Sequence, residues 1–248
     1  MLPIDYGPAA DPHDHIVEPL VESIWVEPYP DERGGPEDAA EGPAARYERR
    51  EAVELAFIAA LQHLPARQRA VLILRDVLGF SAREAGDVLG ISPPAIDSAL
   101  QRAHKTVDGR LPEQSQQAAL SVVGDARLRA IVDGYMAAWE RADVAAVVAL
   151  LAEDATLAMP PWSEWYAGRA AIAEFLARWP FALARWRLVP TRANGQLAFG
   201  HYAWDAGAGF FVPSEISVLT LAGEQIADLT LFRDPELIRR FGLPERMD

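Results

Sequence analysis

The chain has 248 residues, half of them hydrophobic, and 36 acidic side chains against 23 basic ones give a formal net charge of -13. It holds no cysteine, which excludes disulfides, thiolate zinc sites and cysteine nucleophiles, and its length predicts two compact units. The start "MLPIDYGPAADPHDH" has neither a basic beginning nor an apolar core, and no uncharged apolar run approaches the roughly 20 residues a bilayer span needs, so a soluble, cytoplasmic protein is expected.

The acidity is concentrated at the front. Residues 1–45 carry eleven acids and one base (Arg33), residues 46–120 nine acids and ten bases, and residues 121–248 sixteen acids and twelve bases. Residues 1–45, with closely spaced prolines and glycines ("VEPYPDERGGPEDAAEGPAA"), read as an extended acidic linker. Within it Ile16, Val17, Leu20, Val21, Ile24, Trp25 and Val26 leave a second reading open, a strip that docks on a partner.

Residues 46–112 are expected to form an all-α unit of four helices. In the first, Val53, Ala56, Phe57, Ala60, Leu61 and Leu64 follow helical spacing until Pro65. The second, "ARQRAVLILRDVLG", places Val71, Leu74 and Leu78 on one face and stops at Gly79. Ser81 and Glu84 form a capping box for a short third helix, which ends at a turn glycine, Gly90. Ser92 is expected to cap the fourth, with Pro93 in its first turn. Its buried stripe is Ile96, Leu100, Ala103 and Val107, which turns Pro94, Asp97, Ser98, Gln101, Arg102 and Lys105 outward. Two helices joined by a glycine turn make a helix-turn-helix, whose second helix meets base edges in the major groove. The candidate DNA contacts are therefore Ser92, Pro94, Ser98, Gln101, Arg102 and Lys105, with Arg102 and Lys105 suited to phosphates or a purine edge. A plain helical bundle with a solvated face is the competing reading. This segment is close to neutral, so weak binding to DNA without help is expected.

The ordered run "LQHLPARQRAVLILRDVLGFSAREAGDVLGISPPAIDSALQRAHKTV" resembles region four, the C-terminal DNA-binding region, of extracytoplasmic-function sigma factors. "VEPYPDE" looks like the linker between regions two and four in a subgroup with an added C-terminal domain. The resemblance implies docking on the flap of RNA polymerase core and reading of the upstream promoter element. An acidic linker suits a basic nucleic-acid channel, whose cations it would meet as RNA does. Region two has no counterpart in this chain, which is expected to be unable to initiate transcription alone. Many members carry basic residues where Asp97 and Ala99 stand here.

Residues 113–124 ("EQSQQAALSVVG") read as a second linker, and residues 125–248 as an α+β unit. Leu128, Ile131, Val132, Tyr135, Met136 and Trp139 form a helical stripe, Asp143 caps a helix over 144–151, and "AGRAAIAEFLARW" supplies a third. Strands follow over 186–191, 196–205, 215–221 and 225–232, with turns at Asn194-Gly195 and Ala222-Gly223. Helices before an antiparallel sheet in this order look like the SnoaL-like, nuclear-transport-factor type of cone, a curved antiparallel sheet wrapped on helices with a pocket at its mouth. Tyr135, Trp139, Trp165, His201 and Asp228 are the candidate pocket residues. Enzymes of this fold pair histidine or aspartate for proton abstraction, which His201 and Asp228 would supply, so an isomerase, cyclase or hydrolase with an attached helical targeting module is the alternative function. The bland reading leaves His201 and Asp228 satisfied inside a sheet core. The histidines stand apart in sequence, so no metal is expected, nor any cofactor. Asp234 and Pro235 match loosely an aspartate–proline stretch that, in sigma factors of this kind, is linked to activity, and an ordinary terminal helix is the other reading.

The expectation is a sigma-factor fragment rather than an enzyme, with promoter DNA and polymerase core as partners. Its cone would contact region four or its linker, and a small molecule in the cone pocket is a further candidate partner.

Overall fold

The computed structural model describes residues 7–14, 19, 27–31, 61, 63–109 and 116–248. It divides into a helical unit within residues 37–115 and a second unit built from residues 1–36 and 116–248. The first predicted helix (Val53, Ala56, Phe57, Ala60) and the strip from Ile16 to Val26 lie outside the described residues.

In the helical unit, α1 (Ala66–Leu72) runs into one turn of π-helix, Ile73–Val77. The chain then reverses at Gly79, whose φ of +72° suits a residue without Cβ. The helix α2 (Ala82–Leu89) starts with the predicted capping box: Glu84 N–H donates to the Ser81 hydroxyl at 3.2 Å and Ser81 N–H to the Glu84 carboxylate at 2.8 Å. It stops at Gly90, left-handed with φ +66°. Ser92 sits at the N-cap position of α3 (Pro93–Asp108), but its side chain makes no cap bond there. The α2–α3 approach is set by Gly86, where an added Cβ would lie 2.7 Å from the Ile91 carbonyl oxygen.

Two small cores share the buried stripe of α3. Leu64 and Leu72 meet Ala103 and Val107, while Val71 and Ala85 meet Ile96 and Ala99. Leu100, predicted within the stripe, is partly buried between both cores, and Ala99 takes the fully buried place instead.

The second unit begins with α4 (Gln116–Val123), inside the stretch that read as a linker. Gln116 fastens it to the sheet, accepting the Leu221 N–H at 2.6 Å and donating to the Leu221 carbonyl at 2.8 Å. Next come α5 (Asp125–Glu140) and α6 (Val144–Leu150), the latter capped by Asp143 as predicted. Then follow β1 (Leu151–Ala158), β2 (Trp165–Ala167), α7 (Arg169–Arg178), α8 (Pro180–Leu183), β3 (Trp186–Ala193), β4 (Gln196–Asp205), β5 (Phe210–Ala222), β6 (Gln225–Phe232) and α9 (Pro235–Arg240). The strands β1 and β2 were not anticipated, and β5 starts five residues before the expected Glu215.

The six strands form one sheet in the order β2-β1-β6-β5-β4-β3, antiparallel except for the parallel β1/β6 pair. Its inner face packs Leu157, Leu188, Phe199, Leu219 and Leu229 against Ile131, Tyr135 and Trp139 of α5 and Phe175 of α7. Across the outer face run α9 and the C-terminal tail. Ile238 and Leu243 press on Gly200 so closely that a Cβ there would overlap them, and the Tyr202 hydroxyl donates to the Pro244 carbonyl. Parts of the N-terminal segment also belong to this unit. Ala10 N–H donates to the Trp165 carbonyl, and Tyr29 exchanges bonds with Asn194: Tyr29 N–H to Oδ1, Asn194 N–H to the Tyr29 carbonyl.

A Gly86→Ala substitution forces the α2–α3 turn apart. It is expected to lower the stability of the helical unit by about 1–3 kcal/mol, read as faster amide exchange at Ile96 and Val107, with amides of the second unit unchanged.

Candidate nucleic-acid interface and cone interior

Because Ile96, Ala99, Ala103 and Val107 are buried, the opposite side of α3 is displayed. Ser92, Pro94, Ser98, Gln101, Arg102 and Lys105 are all exposed, and the last four repeat at the spacing of one helix face. Asp97 is exposed among them, while Ala99 points into the core, so a basic residue at Ala99 would have no outlet here. His104, next to this face, meets Asp76 of the π-helical turn at 2.6 Å and ties α3 to the preceding helix. The result is a convex helix face with two cations, one anion and two hydrogen-bonding side chains, suited to a polyanion with readable edges.

The cone interior is a different kind of place. His201 on β4 and Glu215 on β5 stand directly opposite each other, and a bulge at Ser214 follows in the register. His201 Nε2 and Ser217 Oγ are hydrogen-bonded at 2.8 Å, and Nδ1 lies 4.0 Å from a Glu215 oxygen. The other Glu215 oxygen is 3.3 Å from Arg233 Nε, and that guanidinium lies 4.8 Å above the Trp162 ring. Aromatic edges close around the imidazole, with Trp139 at 4.5 Å and Trp186 and Tyr135 at 6.1 and 6.3 Å. Burial depresses the His201 pKa to about 3, so the ring is neutral. It lifts Glu215 to about 7 against the opposing pull of Arg233, and it raises the Tyr135 phenol as well.

Of the predicted pocket set, the structure brings Tyr135, Trp139 and His201 together and leaves out the other two. Trp165 lies on β2 and gives its indole N–H to the Gly7 carbonyl. Asp228 turns to the outer face. In β6 an extra residue, Ala227, breaks the pairing between Thr220/Asp228 and Leu221/Ile226, so Ile226, Leu229 and Leu231 face inward and Asp228 does not. Its carboxylate accepts the hydroxyls of Thr156 at 2.5 Å and Thr230 at 3.0 Å, and burial raises its pKa. The partners Ser217, Glu215 and Arg233 went unpredicted. Their signal was present, since Glu215 and Ser217 are polar at period two in an otherwise apolar run.

Serine, histidine and carboxylate stand in the order a nucleophilic relay uses. Yet His201, Ser217 and Glu215 are buried under the aromatic packing, with exposures of 0, 0 and 3%, where a relay needs an entry for substrate. Asp234 caps α9, accepting the Glu236 N–H at 2.9 Å, and Pro235 fills its first turn. Among the described residues, no cluster suits a metal ion and no helix is long and apolar enough to cross a membrane.

Comparison with known proteins matches both units. Residues 54–107 fit the family model for sigma-70, region 4, and residues 132–229 the model for the SnoaL-like domain. Over 99% of its length the chain is 36% identical to the ECF RNA polymerase sigma factor SigG of Mycobacterium tuberculosis, covering 65% of that protein. The chain is a homologue of the extracytoplasmic-function sigma factors. The crystal structure of the M. tuberculosis extracytoplasmic-function sigma factor SigJ shares its fold, with a TM-score of 0.56 at 22% identity over 90% of this chain and 76% of that one. The SnoaL-like part alone, 44% of the chain, is 36% identical to the Steroid Delta-isomerase of Nocardioides simplex, covering 92% of it. This sigma-factor homologue thus spans about two thirds of the curated sigma factors it matches, and the relatives that span nearly the whole chain are sigma factors.

Glu215 and His201, two of the buried titratable groups of its cone, impose opposite pH dependences. Glu215, raised from 4.5 to about 7, holds its proton more tightly when folded, so stability falls as pH rises through that window. His201, lowered from 6.5 to about 3, costs stability as pH falls through that window. In urea unfolding of the second unit, Glu215→Gln is expected to gain as much as about 3 kcal/mol on the parent between pH 4.5 and 7. His201→Asn should lose less than the parent does between pH 6.5 and 3. Parallel pH profiles for parent and variants would contradict both assignments.

Proposed function

We propose that the chain is the promoter-reading and regulatory portion of an extracytoplasmic-function sigma factor, working in the cytoplasm with RNA polymerase core. In this reading α3 lies in the major groove of the upstream promoter element. Ser98 and Gln101 face base edges, Arg102 and Lys105 face phosphates, and Ser92 and Pro94 flank the entry of the helix. The observation that carries it is the α3 face itself: four side chains at one-face spacing, exposed and held outward by a buried opposite stripe. Homology to sigma factors over nearly the whole chain supports it.

The SnoaL-like unit regulates this reader by contacts that differ between two states, with turnover playing no part. The burial of His201, Ser217 and Glu215 among aromatic rings supports that role. Identity with an isomerase over 113 residues favours the alternative, a small-molecule enzyme carrying a helical targeting module. The buried His201–Ser217 pair and the outward-turned Asp228 weigh against it.

Binding of the chain to promoter DNA across a salt series tests the reader. Arg102→Ala and Lys105→Ala together should shallow the slope of log affinity against log salt by about two, one for each phosphate contact. An unchanged slope would mean that this face does not touch DNA.

A further inference from the structure

The second unit carries twelve arginines and no lysine between residues 121 and 248. Eight of the twelve lie within 4.0 Å of a carboxylate. Arg185 and Arg246 instead stack on aromatic rings. The two that remain, Arg129 of α5 and Arg192 of β3, have neither partner among the described residues, and both line the same groove.

That groove has a volume of about 620 Å³, within the range of small-molecule sites. Leu128 and Val132 of α5, Leu197 of β4, and Phe241 and Leu243 of the C-terminal tail supply apolar wall, and Pro30 with Asp31 closes one side. Two carboxylates also line it. Asp31 is occupied by the Gly195 N–H at 2.8 Å, and Asp125 sits in the first turn of α5, where the helix dipole favours a negative charge. Neither is within ion-pair distance of Arg129 or Arg192.

An apolar trough beside two guanidiniums without counter-ions matches a ligand with a greasy body and an anionic head. We infer that this groove is a binding site for an amphipathic carboxylate, its chain on Leu128, Val132, Leu197 and Leu243 and its head on Arg129 and Arg192. Guanidinium pairs with carboxylate through two parallel N–H bonds, which makes arginine the fitting choice for such a head. The site lies on the outside of the cone and uses none of the residues around His201. Pro30 and Asp31 belong to the N-terminal segment that pairs with Ala193 and Asn194, so a ligand in the groove touches this segment and the cone together. Occupancy therefore favours the docked segment by mass action. The inference stands apart from the promoter-reading proposal.

Titration calorimetry on the full chain tests it with three probes: decanoate, decan-1-ol (the same body without charge) and acetate (the charge without the body). Decanoate should bind saturably at one site per chain, with decanol and acetate at least about tenfold weaker. The double variant Arg129→Gln/Arg192→Gln should weaken decanoate at least about tenfold, the scale of lost charge-assisted hydrogen bonds. Its thermal unfolding should match the parent's, because neither side chain has a partner to lose. Bound decanoate should also slow amide exchange at Asn194 and Gly195, which hold the N-terminal segment. Absence of saturable decanoate binding would overturn the site. So would decanol binding as tightly, a double variant that binds as well as the parent, or protection confined to the cone interior.

Discussion

One face of α3 has to be buried for the helical unit to exist at all. Its two cores are small, and α3 lines both of them, with Ala103 and Val107 in one, Ile96 and Ala99 in the other and Leu100 packed against each. That requirement fixes the rotation of the helix about its axis, and the rotation decides which side chains reach solvent. The display of Ser98, Gln101, Arg102 and Lys105 follows from packing on the far side. The close Gly86–Ile91 contact and the left-handed Gly90 then set the angle at which the face is offered.

In the SnoaL-like unit the same logic works with the opposite result. Tyr135, Trp139 and Trp186 pack around His201 and bury it, and Tyr135 Oη, Trp139 Nε1 and His201 Nδ1 are left there without hydrogen-bond partners among the described residues. The buried Glu215–His201–Ser217 chain is held by β4 and β5 and reaches the exposed Arg233 just after β6, while His201 Nδ1 has no hydrogen-bond partner among the described residues. A neutral imidazole and a carboxyl with raised pKa reduce the charge buried there, which lets so polar a chain persist in an apolar core. The exposed chemistry of this unit lies outside, where the N-terminal segment, α5 and the C-terminal tail converge.

Much of this was legible in the residues. The capping box at Ser81 and Glu84, the stop at Gly90 and the spacing of Ile96, Ala103 and Val107 are local signals, and local signals decide short helices. Asn194-Gly195 marks the β3–β4 hairpin in the same way, with both residues at positive φ. What escaped depends on distant pairing. The strands β1 and β2 alternate weakly and gain their identity from β6 and from each other. Strict alternation through β6 puts Asp228 with the pocket, and the single extra residue Ala227 reverses the parity. Glu215 and Ser217 stand out in sequence as polar positions at period two, but only the β4–β5 register ties them to His201. The groove that holds Arg129 and Arg192 joins segments from four parts of the chain, so no single window of sequence contains it.

A weakly charged reader and an acidic chain fit together if the polymerase core supplies the affinity and α3 supplies the discrimination. Selection from a random duplex library by polymerase core loaded with this chain measures that division directly. Parent and Gln101→Ala should enrich motifs that differ at one base position, since an amide facing base edges is removed while the fold is kept. Identical motifs from both would show that sequence is read elsewhere, and would contradict the account at its centre.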